Sequence, residues 1–411
     1  MKINIKRIMS DLEILNTFNT TPKNGCSRYS FTIEDTRAKE YLMGEMKAIG
    51  MEVWFDGIGN LHGLLKGSGD NKKIVLSGSH IDTVANGGKY DGNLGVIGAL
   101  EVARILSKSE AKIYNDYQVS IFVEEEGPHF GTNLIGSKAF CKKFSTAHSK
   151  KIKDSDGNSM YEVMKTAGYN PEDIDKISFD SNKFKAMIEL HIEQGRVLDL
   201  ENKSLGIVKG IVGLKWFKII IKGESNHAGA TPMKYRLDPV AEGCKLISEI
   251  PNIVKSMDDS SIVATVGKIN IFPNQTNIIA KFIEFTIDLR GIDEENLLTV
   301  IDVIGSQLDE LKEKGFYCEI EQIAEARGVK SSLDILDIIE NTIKIRKYNY
   351  TKLYSGANHD TSILGQHIPS AMIFVPSIDG RSHCKEELTK EKDVEAGCQI
   401  LCDTIVELLK K

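Results

Sequence analysis

The chain has 411 residues with hydrophobic and charged fractions of 41% and 27%, a length that exceeds one ordinary core and predicts at least two domains. Its formal net charge of -6 is of mixed sign and offers no basic stripe, which excludes nucleic acid as the expected partner. No apolar run is long enough for a membrane span, no signal peptide is evident, and the odd set of seven scattered cysteines favours reduced thiols and a cytoplasmic location.

The first chemically suggestive stretch follows a helix predicted over residues 33–49 and a strand–turn–strand over 53–61. A short apolar strand, residues 74–76, is followed by His80 and Asp82, which face the same way if the chain is extended. His80 can offer a ring nitrogen to a cation while Asp82 accepts the other ring N–H or holds the local backbone. Asp91, in a glycine-rich turn before a helical stretch, supplies a second hard ligand. Taken alone, such a pair is more often a satisfied histidine near a turn.

Two more polar clusters follow apolar strands. The strand predicted over residues 119–123 runs into Glu124, Glu125 and Glu126, which repel one another unless cations compensate; alternatively they form a solvated acidic turn. After a polar surface excursion, residues 149–181, the strand predicted over 186–190 is followed by His191. Ligands gather beyond strand ends in open α/β sheets, so three such clusters together indicate a site.

From Val212 the pattern changes to βαββαβ, which predicts a ferredoxin-like α+β unit inserted into an α/β domain. The predicted elements are strand 214–221, helix 238–250, strands 261–272 and 277–290, helix 294–312 and strand 316–323. The α/β pattern then resumes with a helix over 333–346, a strand over 371–375, His383 and a closing helix over 394–409. We therefore predict a catalytic domain built from residues 1–211 and 328–411, with residues 212–327 inserted.

The strand ends gather three imidazoles and two carboxylates, namely His80, Asp91, Glu126, His191 and His383. Nitrogen and oxygen ligands without thiolate suit zinc, manganese or cobalt. Two metals about 3.5 to 4 Å apart would hold a bridging water and lower its pKa enough to attack a carbonyl. Glu125, beside a ligand but free to point elsewhere, is the natural general base.

Seven stretches carry a family resemblance: GSHIDTV (78–84), YDG (90–92), EEG (125–127), ELHIEQG (189–195), NHAGATPM (226–233), DLR (288–290) and SH (382–383). In this order they resemble the hydantoinase/carbamoylase branch of the di-zinc aminoacylase and carboxypeptidase-like amidohydrolases. The resemblance extends from Arg28 to the last helix. The stretches at 191–195 and 226–229 resemble this branch more than the ordinary exopeptidases.

The resemblance implies an α/β, di-metal, exopeptidase-like catalytic domain with an inserted ferredoxin-like domain that acts as a lid and forms a homodimer. It implies that Asp91 bridges two divalent metals, with His80 and His191 on one and Glu126 and His383 on the other. Zinc is the first expectation, with manganese, cobalt or nickel as alternatives. The resemblance also implies that Glu125 shuttles the proton, and Asp82, as the support of His80 suggested by the residues themselves, is counted with the catalytic residues.

The resemblance also assigns residues around a small-molecule substrate. His227 is expected to reach a partner subunit's site and stabilise the oxyanion, and the substrate contacts are expected to be Gln194, Asn277, Arg290, Gly356 and Ala357. A planar guanidinium suits a substrate carboxylate. From the residues alone, each of these three positions has a simpler interpretation. An arginine such as Arg290 is more often part of a salt bridge, Asn277 is explained by the formation of a turn, and a histidine such as His227 is more often an ordinary loop residue.

The sequence departs from the family pattern at Pro128-His129 and at Asn358, and these changes affect the pocket rather than the ligands. The expected reaction is hydrolysis of a linear C–N bond in an N-carbamoyl-L-amino acid or a ureido acid such as allantoate. An aminoacylase or dipeptidase is the alternative within enzymes. A non-catalytic dimeric binding protein is the alternative from another class, which the complete set of ligand and base residues disfavours.

Overall fold

The computed structural model describes residues 1–109 and 113–410. The chain divides into two compact units, the first formed by Met1–Gly210 with Lys330–Lys411 and the second by Ile211–Val329. These limits lie next to the boundaries predicted from the change of pattern. The predicted α/β class with an inserted α+β unit is confirmed.

The secondary structure alternates helices and strands along most of the chain. The α-helices of the described residues are α1 (Ile5–Thr17), α2 (Ile33–Ala48), α3 (Asn93–Lys108), α4 (Ile135–Phe140), α5 (Thr146–Ser149), α6 (Met160–Thr166), α7 (Val197–Leu200), α8 (Pro239–Ser256), α9 (Glu294–Glu313), α10 (Leu333–Arg346), α11 (Asp360–Leu364) and α12 (Glu391–Leu408). The strands are β1 (Glu52–Phe55), β2 (Leu61–Leu65), β3 (Ile74–His80), β4 (Asp116–Phe122), β5 (Phe184–Ile192), β6 (Leu205–Ile211), β7 (Gly213–Lys222), β8 (Val263–Phe272), β9 (Phe282–Gly291), β10 (Tyr317–Ala326), β11 (Val329–Lys330), β12 (Tyr350–Ser355) and β13 (Ser370–Val375). Short 3-10 turns lie at Pro171–Lys176, Ser181–Lys183, Met233–Tyr235 and Ile378–Gly380.

The central sheet of the first unit places four strand ends at one edge. Its strands run in the order β1, β2, β4, β3, β5, β13, β6 and β11, with β12 also paired to β6. Strand β3 is parallel to β4 and β5, and β13 is parallel to β5. The carboxyl ends of these four strands therefore lie together, where the loops of an open α/β sheet build sites.

The parallel strands are almost completely buried because both faces of this part of the sheet are covered. Every residue of β13 is buried, and β3 and β4 are buried except for their first residues. One large core packs the sheet against α1, α3, α10 and α12. A separate cluster, which includes Phe122, Met187 and Leu364, packs against the sheet with residues of α4 and α11.

The second unit has the predicted βαββαβ order, and its sheet runs β10, β7, β9, β8 with every pair antiparallel. Its core alternates along β7 and β9 and faces α8 and α9. The predicted strand from residue 277 is wrong at its start, because β9 begins at Phe282. Asn274 has a left-handed φ of 54° and the residues before β9 form turns.

None of the helices in residues 1–109 and 113–410 combines the length and apolarity that a membrane span requires. The strands β6 and β12 and the helix α11 have no counterpart in the elements predicted from the sequence. All three are short, and their residues are placed by pairing or packing rather than by a periodic pattern of their own.

Candidate active site

The predicted ligands come together at the carboxyl edge of the parallel strands. His80 is the last residue of β3, Glu125 and Glu126 follow β4, His191 lies near the end of β5, and His383 follows β13. Asp91 lies just before α3. Groups of potential ligand atoms in this cluster lie within 4.8 Å of one another: His80 with Asp91 and His191, His80 with Glu125 and Glu126, and Asp91 with Glu126 and His383.

Two of the imidazoles are oriented by backbone carbonyl groups. His80 Nδ1 is 2.9 Å from the carbonyl oxygen of Asp82, and His191 Nδ1 is 2.9 Å from that of Ile192. A carbonyl only accepts, so each Nδ1 carries a proton, and in the neutral imidazole each Nε2 presents its lone pair. Both Nε2 atoms point at Asp91 Oδ1, at 3.6 Å from His80 and 3.2 Å from His191.

Asp91 lies between two groups of side chains. Its Oδ1 faces His80 and His191 and, within the described residues, accepts no hydrogen bond although it is buried. Its Oδ2 accepts hydrogen bonds from the Gln194 amide at 2.8 Å and the Ser382 hydroxyl at 2.7 Å, and lies 3.4 Å from His383 Nε2. One carboxylate therefore presents one oxygen to each half of the cluster.

The second half of the cluster is formed by Glu126 and His383, whose Oε1 and Nε2 atoms are 3.0 Å apart. The side chain of His383 is 45% exposed, whereas Glu125 is only 6% exposed. Glu125 Oε2 is 3.6 Å from His80 Nε2, so this carboxylate borders the ligand cluster. A buried carboxylate in this position can exchange a proton with a group bound between the ligands.

The carboxylate of Asp82 holds the backbone of the loop that carries Glu125 and Glu126. Its Oδ1 accepts a hydrogen bond from the amide of Glu125 at 3.2 Å and its Oδ2 accepts one from the amide of Glu126 at 3.1 Å. The sequence suggests two roles for Asp82, and its carboxylate performs the second of them, which is to hold the local backbone. The carbonyl of the same residue orients His80.

The pKa shifts in the cluster follow from burial and from the pairing of imidazoles with carboxylates. Burial lowers the pKa of His80, but the carboxylates of Glu125, Asp91 and Asp82 outweigh burial and hold that pKa well above its usual value. Hydrogen bonding to Asp91 and Glu126 raises the pKa of His383 to about 10. Burial raises the pKa of Asp91, yet His191 and its neighbours hold it well below the usual range. Glu125 is the opposite case, because burial raises its pKa well above the usual value.

This donor set fits a pair of divalent cations. The ion-pair partners of Asp91, Glu125 and Glu126 are histidines, and the Nε2 atoms of two imidazoles face a buried carboxylate oxygen that accepts no hydrogen bond in the described residues. Two imidazoles that face one buried carboxylate oxygen require positive charge between them, supplied either by protons on the rings or by a bound cation. Imidazole and carboxylate ligands without thiolate suit zinc, manganese or cobalt.

Three of the predicted site residues lie in the second unit. His227 forms an isolated bridge with Ile278 and accepts hydrogen bonds at Nδ1 from the amides of Gly229 and Ala230, and the amide of Ala228 donates to the carbonyl of Asn277 at 3.0 Å. Arg290, near the end of β9, pairs with Asp288, with Nη2 2.9 Å from Oδ2. His227 and Asn277 thus lie together, and Arg290 lies at the other end of β9.

The remaining substrate residues lie in the first unit. Gln194, with a left-handed φ of 57°, directs its Nε2 at Asp91, so its observed partner is a predicted ligand. Gly356 and Ala357 follow β12, in a loop where the Ser355 hydroxyl donates to the carbonyl of Ala357 at 2.8 Å. A Cβ atom added at Gly356 would meet no atom within 4 Å.

Two buried glutamates next to the cluster have no role in the sequence-based prediction. Glu189 accepts hydrogen bonds from the hydroxyls of Ser79 at 2.7 Å and Thr361 at 2.6 Å, which ties β3, β5 and α11 together. Glu387 accepts hydrogen bonds from the amides of Tyr90 and Asp91. The position of Glu189 two residues before His191 on a buried strand could have indicated the first; no local pattern indicates the second.

Comparison with known proteins identifies the family of this chain. Residues 76–407 match peptidase family M20/M25/M40. The chain is 35% identical over 404 residues to the N-carbamoyl-L-amino acid amidohydrolase of Geobacillus stearothermophilus, covering 98% of each chain. It is 33% identical over 402 residues to the allantoate amidohydrolase of Escherichia coli, covering 98% of this chain and 97% of that one.

A solved structure gives the same result for the fold. The amidase of the hydantoinase/carbamoylase family from Burkholderia multivorans superposes with a TM-score of 0.90 at 29% identity, covering 100% of this chain and 99% of that chain. The predicted resemblance to the hydantoinase/carbamoylase amidohydrolases is confirmed. The chain belongs to peptidase family M20/M25/M40.

Proposed function

We propose that this protein is a di-metal amidohydrolase that hydrolyses a linear C–N bond in an N-carbamoyl-L-amino acid or in allantoate. The observation that carries the proposal is the position of Asp91, with one oxygen toward His80 and His191 and the other toward His383, beside the buried carboxyl of Glu125. The names of the relatives from Geobacillus stearothermophilus and Escherichia coli support the two substrate classes. We also propose that the protein acts in the cytoplasm.

The ligands divide between two cations. His80, His191 and Asp91 would hold one, and Asp91, Glu126 and His383 the other, with zinc as the first expectation and manganese, cobalt or nickel as alternatives. Bound there, the cations would supply Lewis-acid activation of water and of the substrate carbonyl. Asp82 keeps the backbone of Glu125 and Glu126 in place through its two oxygens.

The protein's own residues perform the proton transfer and the recognition. Glu125 accepts the proton of the water that adds to the ureido carbonyl and passes it to the nitrogen that leaves. The C–N bond between carbonyl and that nitrogen breaks, and the carbamic acid released decomposes to carbon dioxide and ammonia. His227 donates to the developing oxyanion, and Arg290 pairs with the substrate carboxylate.

The geometry of the second unit favours a homodimer through the inserted domain. His227 and Asn277 lie before the start of β9 and Arg290 near its end, and the strand from Phe282 to Arg290 alone spans about 26 Å at the rise of a β-strand. A small ureido acid cannot bridge that distance. This separation supports the proposal that two copies of the chain contribute to one site.

The first experiment is to measure ammonia release from N-carbamoyl-L-amino acids and from allantoate, side by side, with metal-reconstituted protein. The Glu125→Gln variant is the control. We expect release from one of the two classes and its loss in the variant. Absence of release from both, with two metals bound per chain, would contradict the proposal, and cleavage of N-acetyl amino acids or dipeptides by the same sample would then indicate an aminoacylase or dipeptidase.

A further inference from the structure

Glu387 is a buried carboxylate that contacts both the backbone at Asp91 and a residue that is hydrogen-bonded to the Asp91 side chain. Only 3% of its surface is exposed. Its Oε1 accepts hydrogen bonds from the backbone amides of Tyr90 at 2.8 Å and Asp91 at 3.1 Å. Its Oε2 lies 3.0 Å from the hydroxyl of Ser382. One carboxylate thus holds the backbone of Asp91 and contacts a residue that holds its side chain.

Ser382 connects Glu387 with the carboxylate of Asp91. The Ser382 hydroxyl donates to Asp91 Oδ2 at 2.7 Å, on the side of the carboxylate that faces His383. The single hydroxyl proton lies between two acceptors, Asp91 Oδ2 and Glu387 Oε2, so Glu387 restricts the rotation of the Ser382 side chain. Both the main chain and the side chain of Asp91 therefore depend on Glu387.

Gly88 shows how closely the Glu387 carboxyl fits against this segment. A Cβ atom added at Gly88 would lie 2.0 Å from Glu387 Cδ and 2.1 Å from its Oε1. No side chain can occupy that space while the carboxyl of Glu387 remains in place. The backbone of Gly88 is not left-handed, so alanine is acceptable to the main chain and would act only by displacing the carboxyl.

We propose that Glu387 is a positioning residue that fixes Asp91 in the orientation in which one oxygen faces His80 and His191 and the other faces His383, the two halves of the proposed metal centre. The inference rests on the proposed metal centre and adds a residue that touches neither a cation nor the substrate. Partners that orient metal ligands typically contribute 10- to 100-fold to metal affinity. The same loop supplies His383 as a ligand and Glu387 as the support of the bridging ligand.

The test measures zinc binding rather than activity. Zinc affinity and stoichiometry of the purified full chain are determined by competition with a chromophoric chelator for the wild type, Glu387→Ala and Glu387→Gln. We expect Glu387→Ala to bind at least one of two zinc ions about 10- to 100-fold more weakly. Glu387→Gln should retain the affinity, because its amide oxygen accepts from both amides and its NH2 group donates to Ser382. The matched control is Glu386→Ala, since the neighbouring Glu386 side chain is 45% exposed.

The variant Gly88→Ala provides an independent measurement in which every titratable group is retained. It should weaken zinc binding as Glu387→Ala does, whereas Gly44→Ala, at a glycine whose Cβ would meet nothing within 4 Å, should not. Two zinc ions bound at wild-type affinity by Glu387→Ala, or by Gly88→Ala should the former fail to fold, would overturn the inference. Failure of the wild type itself to bind two metals would instead overturn the proposed metal centre.

Discussion

Gln194 donates a hydrogen bond from Nε2 to Oδ2 of Asp91 over 2.8 Å, from a backbone in the left-handed region. A hydrogen bond to a charged group contributes about 1.5–3 kcal/mol, so we expect Gln194→Leu to lower kcat about 10- to 100-fold. Steady-state kinetics on the substrate identified by ammonia release measures this. An increase in KM alone, with kcat unchanged, would show that Gln194 acts on the substrate, as the family resemblance implies.

Glu125→Gln should separate catalysis from metal binding. Because Glu125 is proposed as the base and not as a ligand, the variant should lose about 10²- to 10⁴-fold in kcat while it binds two metals. Glu126→Gln, one residue further along, should lose metal instead. Metal content by atomic emission, measured beside the rates, distinguishes the two; a Glu125→Gln protein that lacks metal would contradict the assigned roles.

Removal of the metals should abolish activity reversibly. Dialysis against a strong chelator is expected to yield an inactive protein, and addition of two equivalents of zinc, manganese, cobalt or nickel should restore turnover. The chelator is removed before the assay, and the far-UV circular dichroism of the metal-free protein serves as the control for folding. Full activity of a preparation without measurable metal would contradict a di-metal reaction.

The separation of His227 from Arg290 allows a complementation experiment. We expect His227→Ala and Arg290→Ala each to be inactive, because each removes one contribution from both sites of a dimer. When the two variants are mixed and allowed to exchange subunits, random pairing should give about a quarter of wild-type activity, from the one intact site of each mixed dimer. Sites built from a single chain would show no recovery. A monomer by analytical ultracentrifugation would also contradict this prediction.

Lys39 provides a prediction about stability away from the site. Its Nζ is 2.8 Å from Asp35 Oδ2, and both side chains are almost completely buried. Lys39→Met should lower the free energy of unfolding by about 3–5 kcal/mol, because it leaves a buried carboxylate without its cationic partner. Denaturant unfolding monitored by fluorescence measures the loss. The double variant Lys39→Met with Asp35→Asn should recover part of it, and an equal loss in both would argue against charge pairing as the cause.

The ligands could be predicted from the sequence because each of them follows an apolar strand or a glycine-rich turn. His80, Glu126, His191 and His383 all come at or after such strands, and parallel strands direct their carboxyl ends to one edge. The inserted unit could be predicted because its periodicity differs from that of the flanking chain. These features are local, and local patterns are what a sequence displays directly.

Glu387 could not be predicted because its burial depends on a distant segment. It follows Lys385 and Glu386, a charged run that indicates a solvent-exposed loop. Its partners, the amides of Tyr90 and Asp91, are 297 and 296 residues away. The short strands β6 and β12 escape prediction for the same reason, since pairing with other strands defines them more than their own composition.

The position of β13 determines when the protein can become active during its synthesis. This strand lies between β5 and β6, which leave the ribosome well over a hundred residues earlier. Until residues 370–375 emerge, β5 and β6 cannot occupy their final places in one continuous sheet, and His383 and Glu387 follow later still. The nascent chain must therefore hold an incomplete sheet while the inserted unit is translated, and its candidate site is completed only after His383 and Glu387 have emerged.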